Sequence, residues 1–342
     1  MEYCGIDLHT KSSQVAIIDE GGELCEKAEI PTTESSFVRY FGKREPMVIC
    51  LEVGGVSAWA QRVLTGLGHQ VVVANPLRVR LIAEATLKND AVDALTLARL
   101  VRADPQLLSP VVHRSETTQR QRAVLRVRAV LVNSRTACVN SARGLLRSLG
   151  FRLPKALNGA RLARAIGEKD IPDDLAALVA PLVMTALELD EKIAALDKQV
   201  KAIGANYPEV ALLQTVPGVG PLVALAFVLC LENPRRFRRS RDVGAYLGLR
   251  PRMRETGSTS RYGSITHAGD REVRWLLVEA AHGMLRSRRD CDLKDWALRL
   301  ASRVGKKKAI IALARKLAVV MHTMWITGKE FRSFRLAIDV AA

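Results

Sequence analysis

The first hundred residues alternate between strand-like and helix-like patterns, in an order that strongly limits the possible folds. Gly21-Gly22 separates two strand-like segments and is typical of a tight hairpin turn. Later in this region, a helical segment at Val56–Leu67 separates two further strand-like segments. The five segments that we predict as strands are Tyr3–Leu8, Gln14–Asp19, Glu23–Ile30, Met47–Leu51 and Gln70–Ala74.

Three strands in hairpin succession, followed by strand, helix and strand, are the order of an RNase H-like sheet. Most of the later sequence has helical periodicity. We therefore predict an α/β plus α fold with three domains. They are an RNase H-like domain over residues 1–110, a helical coiled-coil region over residues 111–206, and a mostly helical C-terminal domain over residues 207–342.

Four acidic residues fall at the boundaries of the N-terminal elements. Asp7 closes the first strand and Glu52 follows the fourth, and these strand ends lie side by side in an RNase H-like sheet. Asp90 and Asp93 are three residues apart, so they share one face of a helix. Carboxylates suit Mg²⁺ or Mn²⁺, and two such ions about 4 Å apart promote in-line displacement at phosphorus. The pattern predicts a metal site, although such acids singly are more often turn, cap or solvated residues.

The formal net charge of +17 favours a polyanionic partner, because Lys and Arg capture phosphate backbones non-specifically. A cationic membrane-surface protein would need a basic amphipathic helix or a lipid signal, and neither is clear. Leu222–Leu231 is too short to span a bilayer, and Arg315 and Lys316 interrupt the apolar stretch Ala309–Ile326. With no secretory signal at the start and cysteines mostly in apolar surroundings, we expect a cytoplasmic, nucleoid-associated protein with no membrane partner.

A long helix is predicted from about Thr117 to Leu149, with a coiled-coil rhythm of three and four residues. The predicted seam is Val124, Val127, Leu131, Ser134, Cys138, Ser141 and Leu145. A second periodic stretch follows Pro181, and the two could pair as an antiparallel hairpin or between subunits. The first helix is rich in arginine, which favours nucleic-acid contact over simple solvated charge. The arginines assigned to this contact are Arg120, Arg126, Arg128 and Arg135.

Two features of the C-terminal third suit phosphate contact. Val216–Pro221 indicates a helix-hairpin-helix turn in which Gly218 and Gly220 would admit a phosphate, although a tight structural turn explains the same residues equally well. A hydroxyl-rich loop over residues 256–260 is either a phosphate-binding loop or the source of a nucleophile that attacks a phosphodiester. The arginines assigned to nucleic acid in this third are Arg235, Arg236, Arg238, Arg239, Arg252, Arg254 and Arg261.

Several motifs, taken in order, resemble those of the DEDD transposases of the IS110 family, relatives of the Piv/MooV DNA invertases. The matching segments are Gly5–Ser13, Leu51–Gly55, Ala74–Leu77, Lys88–Ala94, Val216–Pro221, Tyr246–Pro251 and Gly263–Asp270. The resemblance covers nearly the whole chain. It implies a RuvC-like N-terminal domain, a coiled-coil middle and a C-terminal transposase domain that supplies a nucleophilic serine. The DEDD acids would be Asp7, Glu52, Asp90 and Asp93.

The chain departs from the family pattern at the nucleophile. Family members carry Ser-Gly where this sequence has Thr256-Gly257, counted back from Gly263. Threonine keeps the hydroxyl but is bulkier and stiffer at χ1, so its attack should be slower or misdirected. Ser258, two residues on, is the alternative nucleophile. Alignment favours Thr256 and chemistry favours Ser258, so both remain candidates.

The resemblance implies a Mg²⁺-dependent (or Mn²⁺-dependent) transposase or site-specific recombinase that cleaves DNA at a composite site of acid cluster and hydroxyl loop. Its expected partners are the DNA of the element ends and target, a guide RNA encoded in the element, and other copies of the chain in a dimer or tetramer. A RuvC-like junction nuclease would use the same acids with water as nucleophile. A non-catalytic nucleic-acid-binding protein would use only the basic helices. An actin-like ATPase, suggested by Gly5–Lys11, would need a second Asp-x-Gly-x-Thr loop, and the sequence contains none.

Overall fold

The computed structural model describes residues 1–82, 90–155, 158–256 and 259–332. The chain divides into two compact units. The N-terminal unit comprises Met1–Ser115, and the C-terminal unit comprises Glu116–Ala342.

The N-terminal unit is built on a five-stranded sheet with the strand order β3-β2-β1-β4-β5. Strands β1 and β2 pair antiparallel, as do β2 and β3, whereas β4 pairs parallel to β1 and β5 parallel to β4. All five predicted strands are therefore present, with ends that differ from the predicted ones by at most two residues. The strands are β1 (Tyr3–Leu8), β2 (Ser12–Ile18), β3 (Leu24–Pro31), β4 (Val48–Glu52) and β5 (Gln70–Ala74).

Helices cover both faces of this sheet. One face packs against α1 (Glu34–Phe41) and α2 (Ser57–Gly66), and its core includes Phe37, Phe41 and Ile49. The opposite core includes Cys50, Leu97 and Leu108. The elements of this second layer are α3 (Pro76–Ile82), α4 (Asp90–Ala103) and the 3₁₀ turn Pro105–Leu108. The sequence analysis did not predict α1, which is short and begins with the side-chain cap of Thr33 on the Ser36 N–H.

The C-terminal unit is mostly helical, as predicted, with one two-stranded hairpin that was not predicted. The hairpin strands are β6 (Pro251–Thr256) and β7 (Thr259–Ile265). The helices of the first half are α5 (Glu116–Ser148), α6 (Gly159–Gly167), α7 (Asp173–Ala205), α8 (Pro208–Leu213) and α9 (Pro221–Leu231). Those of the second half are α10 (Arg241–Tyr246), α11 (Arg271–Arg286), α12 (Asp292–Val304) and α13 (Lys306–Thr327), and a 3₁₀ turn at Pro234–Arg236 precedes α10.

The two 33-residue helices α5 and α7 form an antiparallel pair within the chain. Arg128 bonds Asp197 at 2.6 Å, and Arg135 bonds Asp190 at 3.0 Å, so the partner number falls as the arginine number rises. Of the two pairings considered from the sequence, the structure therefore contains the antiparallel hairpin.

The predicted seam of α5 is wrong. Val127 and Leu145 have exposed fractions of 51% and 45%, and Ser134 and Ser141 are also exposed. The α5 residues that are buried are Thr118, Leu125, Val139, Ala142 and Leu146. The error arose because alternating small and apolar residues fit more than one helical stripe, and the buried stripe is set by packing against α6, α7 and α9.

The middle and C-terminal segments are not separated into two compact units. Leu125 of α5 and Val200 of α7 lie in the same core as the buried helix α9. The boundary between residues 206 and 207, which would separate the coiled-coil region from the C-terminal domain, remains a prediction. Helix α13 is long and apolar enough to cross a membrane by length and composition, but 56% of its apolar window is buried inside the protein. This burial is typical of a core helix, and α13 packs on α10, α11 and α12.

Candidate active site

Two of the predicted acids lie at neighbouring strand ends on one face of the N-terminal sheet. Strands β1 and β4 are paired in parallel up to Ile6 and Leu51, so Asp7 and Glu52 are the next residues of the two strands. Side chains alternate between faces along a strand. Asp7 therefore shares a face with Gly5, and Glu52 shares a face with Cys50, which is the face covered by α4.

Gly5 brings α4 unusually close to β1. A Cβ atom at Gly5 would lie 1.9 Å from the backbone oxygen of Ala94 and 2.5 Å from the backbone nitrogen of Ala98. Only a residue without a side chain allows this approach. Asp93 precedes Ala94 in α4, so the contact at Gly5 fixes the helix turn that carries the third acid.

The three carboxylates share one electrostatic field. The pKa of Glu52 is raised above its ordinary value, first because the half-buried side chain loses solvent, and then because of the negative charges of Asp7 and Asp93. Glu52 and Asp93 lie 45 and 86 positions after Asp7 in the sequence. The structure therefore places Asp7 and Asp93 close enough to Glu52 to influence its charge, and their shared role as metal ligands stays a prediction. The side chain of Asp90 lies outside the described side chains, although its backbone begins α4.

Two histidines near this edge were not assigned a role from the sequence. His9 Nε2 lies 3.2 Å from Asp7 Oδ2, and the Asp7 side chain is 22% exposed. His113 Nε2 lies 3.0 Å from the hydroxyl of Ser57, which also bonds the backbone of Gly54 in the turn after Glu52. The position of His9 in Gly5–Lys11, two residues after the strand-end acid, was the signal that could have identified it.

The donor set fits a hard divalent cation in its chemistry. Carboxylate oxygens are the ligands of Mg²⁺ and Mn²⁺, and a cation would relieve the repulsion that raises the pKa of Glu52. Among the described side chains, no three His, Cys, Asp or Glu residues are already spaced to enclose one ion. Binding would therefore require these side chains to turn towards the ion, or would require Asp90.

The glycine-rich turn between α8 and α9 has a packing explanation. Gly218 has a φ of +85°, and a Cβ atom there would lie 2.4 Å from the backbone oxygen of Ala280 in α11. A Cβ at Gly220, in contrast, would meet no atom within 4 Å. For Gly218 the structural-turn interpretation is therefore sufficient, and phosphate contact remains a prediction for Gly220.

The hydroxyl-rich loop lies at the tip of the hairpin β6–β7, where Thr256 pairs with Thr259. Ser258 lies outside the described residues, and only the backbone of Thr256 is described. Two glycines hold the base of the hairpin. A Cβ at Gly248 would lie 2.1 Å from the oxygen of Ala268, and a Cβ at Gly269 would lie 2.0 Å from the oxygen of Tyr246.

Two largely buried arginines stabilise the base of this hairpin through separate contacts. Arg274 of α11 donates to the backbone oxygens of Leu247 at 3.0 Å and Ala268 at 2.7 Å. Arg122 of α5 forms an ion pair with Asp270, and the two side chains are only 11% and 13% exposed. Asp270 also accepts from the Val273 N–H and so caps α11. This network links α5 and α11 to the segment that carries the hydroxyl loop, and the sequence analysis missed it.

The arginines assigned to nucleic acid fall into three groups. Arg128 and Arg135 form the ion pairs between α5 and α7, so part of their charge is balanced inside the protein. The side chains of Arg254 and Arg261 lie outside the described side chains. The exposed members are Arg120 (bonded to Glu116 at 2.5 Å), Arg126, Arg235, Arg236, Arg238, Arg239 and Arg252.

The sequence is similar to transposase families and to individual transposases. A family model for DEDD transposases of the IS110 type matches residues 4–151, and the model described as "Transposase IS116/IS110/IS902 family" matches residues 210–295. The y4pF/y4sB protein of Sinorhizobium fredii is 30% identical over 303 residues, which cover 86% of this chain and 77% of that protein. The transposase for insertion sequence element IS1111A of Coxiella burnetii is 27% identical, with 97% and 92% covered. The transposase for IS1328 of Yersinia enterocolitica is 27% identical, with 96% and 97% covered. The chain therefore belongs to the IS110 family of insertion-sequence transposases.

Proposed function

We propose that this transposase is a divalent-metal-dependent DNA recombinase that moves an insertion sequence by cleaving and rejoining DNA strands. The observation that carries this proposal is the shared field of Asp7, Glu52 and Asp93, three acids from distant parts of the sequence. A structural role does not explain the cluster, because desolvation of Glu52 and then repulsion from Asp7 and Asp93 raise its pKa and so cost stability when the acid is ionised. Such repulsion is typical of a site that awaits a cation.

An RNase H-like (RuvC-like) fold of the N-terminal unit is part of the proposal. In its support, the strand order β3-β2-β1-β4-β5 combines an antiparallel meander with two parallel strands. The acids lie at the carboxyl ends of β1 and β4, where ligands bind in open α/β sheets.

Asp7, Glu52 and Asp93, with Asp90, would hold Mg²⁺ or Mn²⁺. When bound, the ion supplies positive charge that stabilises the phosphoryl group and its leaving oxygen. The carboxylates orient that charge, and the half-buried position of Glu52 limits competing water. His9, beside Asp7, is placed to exchange a proton at the Asp7 carboxylate.

The nucleophile would be the hydroxyl of Thr256 or Ser258. Its Oγ forms a bond to phosphorus, a phosphorus–oxygen bond of the DNA strand breaks, the hydroxyl loses its proton and the released DNA oxygen gains one. The covalent protein–DNA link conserves the bond energy for rejoining to a new strand. The Arg122–Asp270 and Arg274 contacts would keep the hairpin in position during this exchange.

DNA and a guide RNA encoded in the element are the proposed partners, with a dimer or tetramer as the working assembly. The exposed arginines between α9 and α10 support capture of a phosphate backbone, because they carry four positive charges in five residues. Two of the rings beside them, Phe237 and Tyr246, lie 5.5 Å and 5.2 Å from the Arg236 guanidinium and hold it in place.

The test is to trap a covalent adduct between the protein and a DNA duplex that carries the element junction. The unmodified protein with Mg²⁺ should form an adduct, and Asp7→Asn should not. Thr256→Ala and Ser258→Ala decide the nucleophile, because only one of them should abolish the adduct. Cleavage without any adduct, unchanged in both hydroxyl variants, would instead identify the junction nuclease that uses water. DNA binding unchanged by Asp7→Asn, with no cleavage at all, would identify a non-catalytic binding protein.

A further inference from the structure

A cavity of about 360 Å³ lies at the C-terminal end of α5, and none of its lining residues belongs to the acid cluster or to the hydroxyl hairpin. Four of its residues come from successive turns of one face of α5, and two come from the segment that follows the helix. The lining residues are Asn140, Arg143, Gly144, Arg147, Arg152 and Leu153.

The chain reverses direction directly after α5. Gly150 has a φ of +93°, its N–H bonds the oxygen of Arg147, and the N–H of Phe151 bonds the oxygen of Leu146. These two bonds form a Schellman motif, which satisfies carbonyls of the last helical turn and reverses the chain. Phe151 and Leu153 then pack against the core of α5, α6 and α7. The reversal places Arg152 opposite Arg143 and Arg147.

The arginines that line the cavity lack anionic partners among the described residues. Arg143 Nε is buried and has no hydrogen bond in the described structure. Among the described residues, no carboxylate forms an ion pair with Arg143, Arg147 or Arg152. Arginines near a helix C-terminus are favoured by the helix dipole, which explains their sign but not why three of them line one cavity with no ion pair to a described carboxylate.

Gly144 gives a second, independent indication. Glycine in a helix interior is less stable than alanine, and it leaves the helix backbone bare. A Cβ at Gly144 would meet no protein atom within 4 Å, so packing within the chain does not require this glycine. The open space on this side of the glycine is the cavity itself.

We infer that this cavity binds a phosphate group of a nucleic-acid backbone, held by the guanidinium groups of Arg143, Arg147 and Arg152 above the bare backbone at Gly144. Planar guanidinium groups match phosphate oxygens in charge and geometry. Asn140 adds an amide that can donate to a further phosphate oxygen. This inference rests on the proposed function, because it assigns a backbone contact to the same DNA- and RNA-binding protein.

The test compares the salt dependence of binding in matched variants. Arg147→Gln removes one exposed charge of the cavity, and Arg161→Gln removes one exposed charge on α6 outside it. The probes are a labelled DNA duplex and a labelled RNA hairpin. For the nucleic acid that occupies the cavity, Arg147→Gln should lower the slope of log K against log salt by about 0.9, an affinity loss of roughly eightfold near 0.1 M salt. Arg161→Gln should leave the slope unchanged.

A second pair of variants compares a side chain that fills the cavity with a control outside it. Gly144→Glu places a carboxylate beside the unpaired guanidinium, so it should raise Tm and lower the affinity for the nucleic acid. Ala194→Glu adds the same charge at an exposed position of α7 and should change Tm and affinity much less. A Gly144→Glu protein that binds as tightly as Ala194→Glu contradicts the inference.

The outcomes separate the inference from the function beneath it. If the unmodified protein binds neither probe, both proposals are wrong. If it binds with a steep salt dependence and Arg147→Gln matches Arg161→Gln, only the assignment of the cavity is wrong. A third outcome is that inorganic phosphate raises the Tm of the unmodified protein but not that of Arg147→Gln, while both variants keep the salt slope of the unmodified protein. In that case the cavity binds free phosphate and the backbone assignment is wrong.

Discussion

The contact between Gly5 and α4 allows a sharp test of the acid cluster. A Cβ at Gly5 would lie 1.9 Å from the oxygen of Ala94, whereas ordinary contact begins at about 3.4 Å. In Gly5→Ala, α4 must therefore retreat from β1 by about 1.5 Å, or the strand must shift by the same distance. Both obstructing atoms are backbone atoms, so no flexible side chain can absorb the displacement.

The expected result has two parts. Overpacking of this kind costs about 1–3 kcal/mol, so the free energy of unfolding of the N-terminal unit should fall by that amount. The turn that carries Asp93 should also move away from Asp7 and Glu52, and a displacement of about 1 Å in a catalytic group lowers rates by roughly 10²-fold. Adduct formation on the junction duplex should fall by that factor at temperatures where the variant is still folded.

Metal binding gives a readout that instability alone would not change. Saturation at a hundred times Kd stabilises a protein by about 2.7 kcal/mol, so Mg²⁺ should raise the Tm of the unmodified protein. The same concentration should raise the Tm of Gly5→Ala much less. Gly66→Ala is the matched control, since a Cβ there would meet no atom within 4 Å. A Gly5→Ala protein that is folded, keeps the full Mg²⁺ shift and cleaves at the normal rate would refute the claim that this contact positions the cluster.

Three further changes test other parts of the structure. Glu52→Gln should raise the Tm of the metal-free protein at neutral pH. The reason is that a carboxyl with a raised pKa loses folded-state stability as pH rises through that pKa. Thermal scans across pH should show that the gain in Tm vanishes in acid. Arg122→Met removes the ion-pair partner of the largely buried Asp270 carboxylate, so chemical denaturation should report a loss of about 3–5 kcal/mol, and a loss below 1 kcal/mol would contradict the proposed network. Gly218→Ala should lower Tm, because the residue has a φ of +85° and a Cβ there would clash with the backbone of α11. Gly220→Ala should keep Tm and weaken DNA binding if phosphate contacts this turn.

The sheet and its acids could be predicted because each rests on a short-range pattern. Apolar runs such as Met47–Leu51 identify buried strands, and an acid directly after a run marks the strand end. Parallel pairing of β1 and β4 then brings Asp7 and Glu52 together without further information. The packing role of Gly5 was also missed, although a glycine within an apolar strand often marks a close backbone approach.

The C-terminal unit was harder to predict because its decisive features join distant segments. The hairpin β6–β7 consists mostly of charged, hydroxyl and glycine residues with few apolar ones, so its sequence resembles a loop. The Arg122–Asp270 pair joins residues 148 positions apart, and no local spacing indicates it. The seam of α5 failed for the same reason, since Leu125 and Val139 are buried by helices that lie later in the chain.

The 52 lysines and arginines overstate the number of cations that are free to meet a polyanion. Arg122, Arg128 and Arg135 bond aspartates, and buried Arg274 bonds backbone oxygens, so these arginines stabilise the C-terminal unit. We expect a substitution at any of them to weaken DNA binding by lowering the amount of folded protein, and for Arg128 and Arg135 the loss of a predicted phosphate contact is a second cause. The salt slope separates the two causes, because it counts the counterions released and is insensitive to the fraction of folded protein. Arginines that lower the slope on substitution, such as those expected between residues 235 and 239, contact the backbone, whereas those that lower only the amount of active protein belong to the fold.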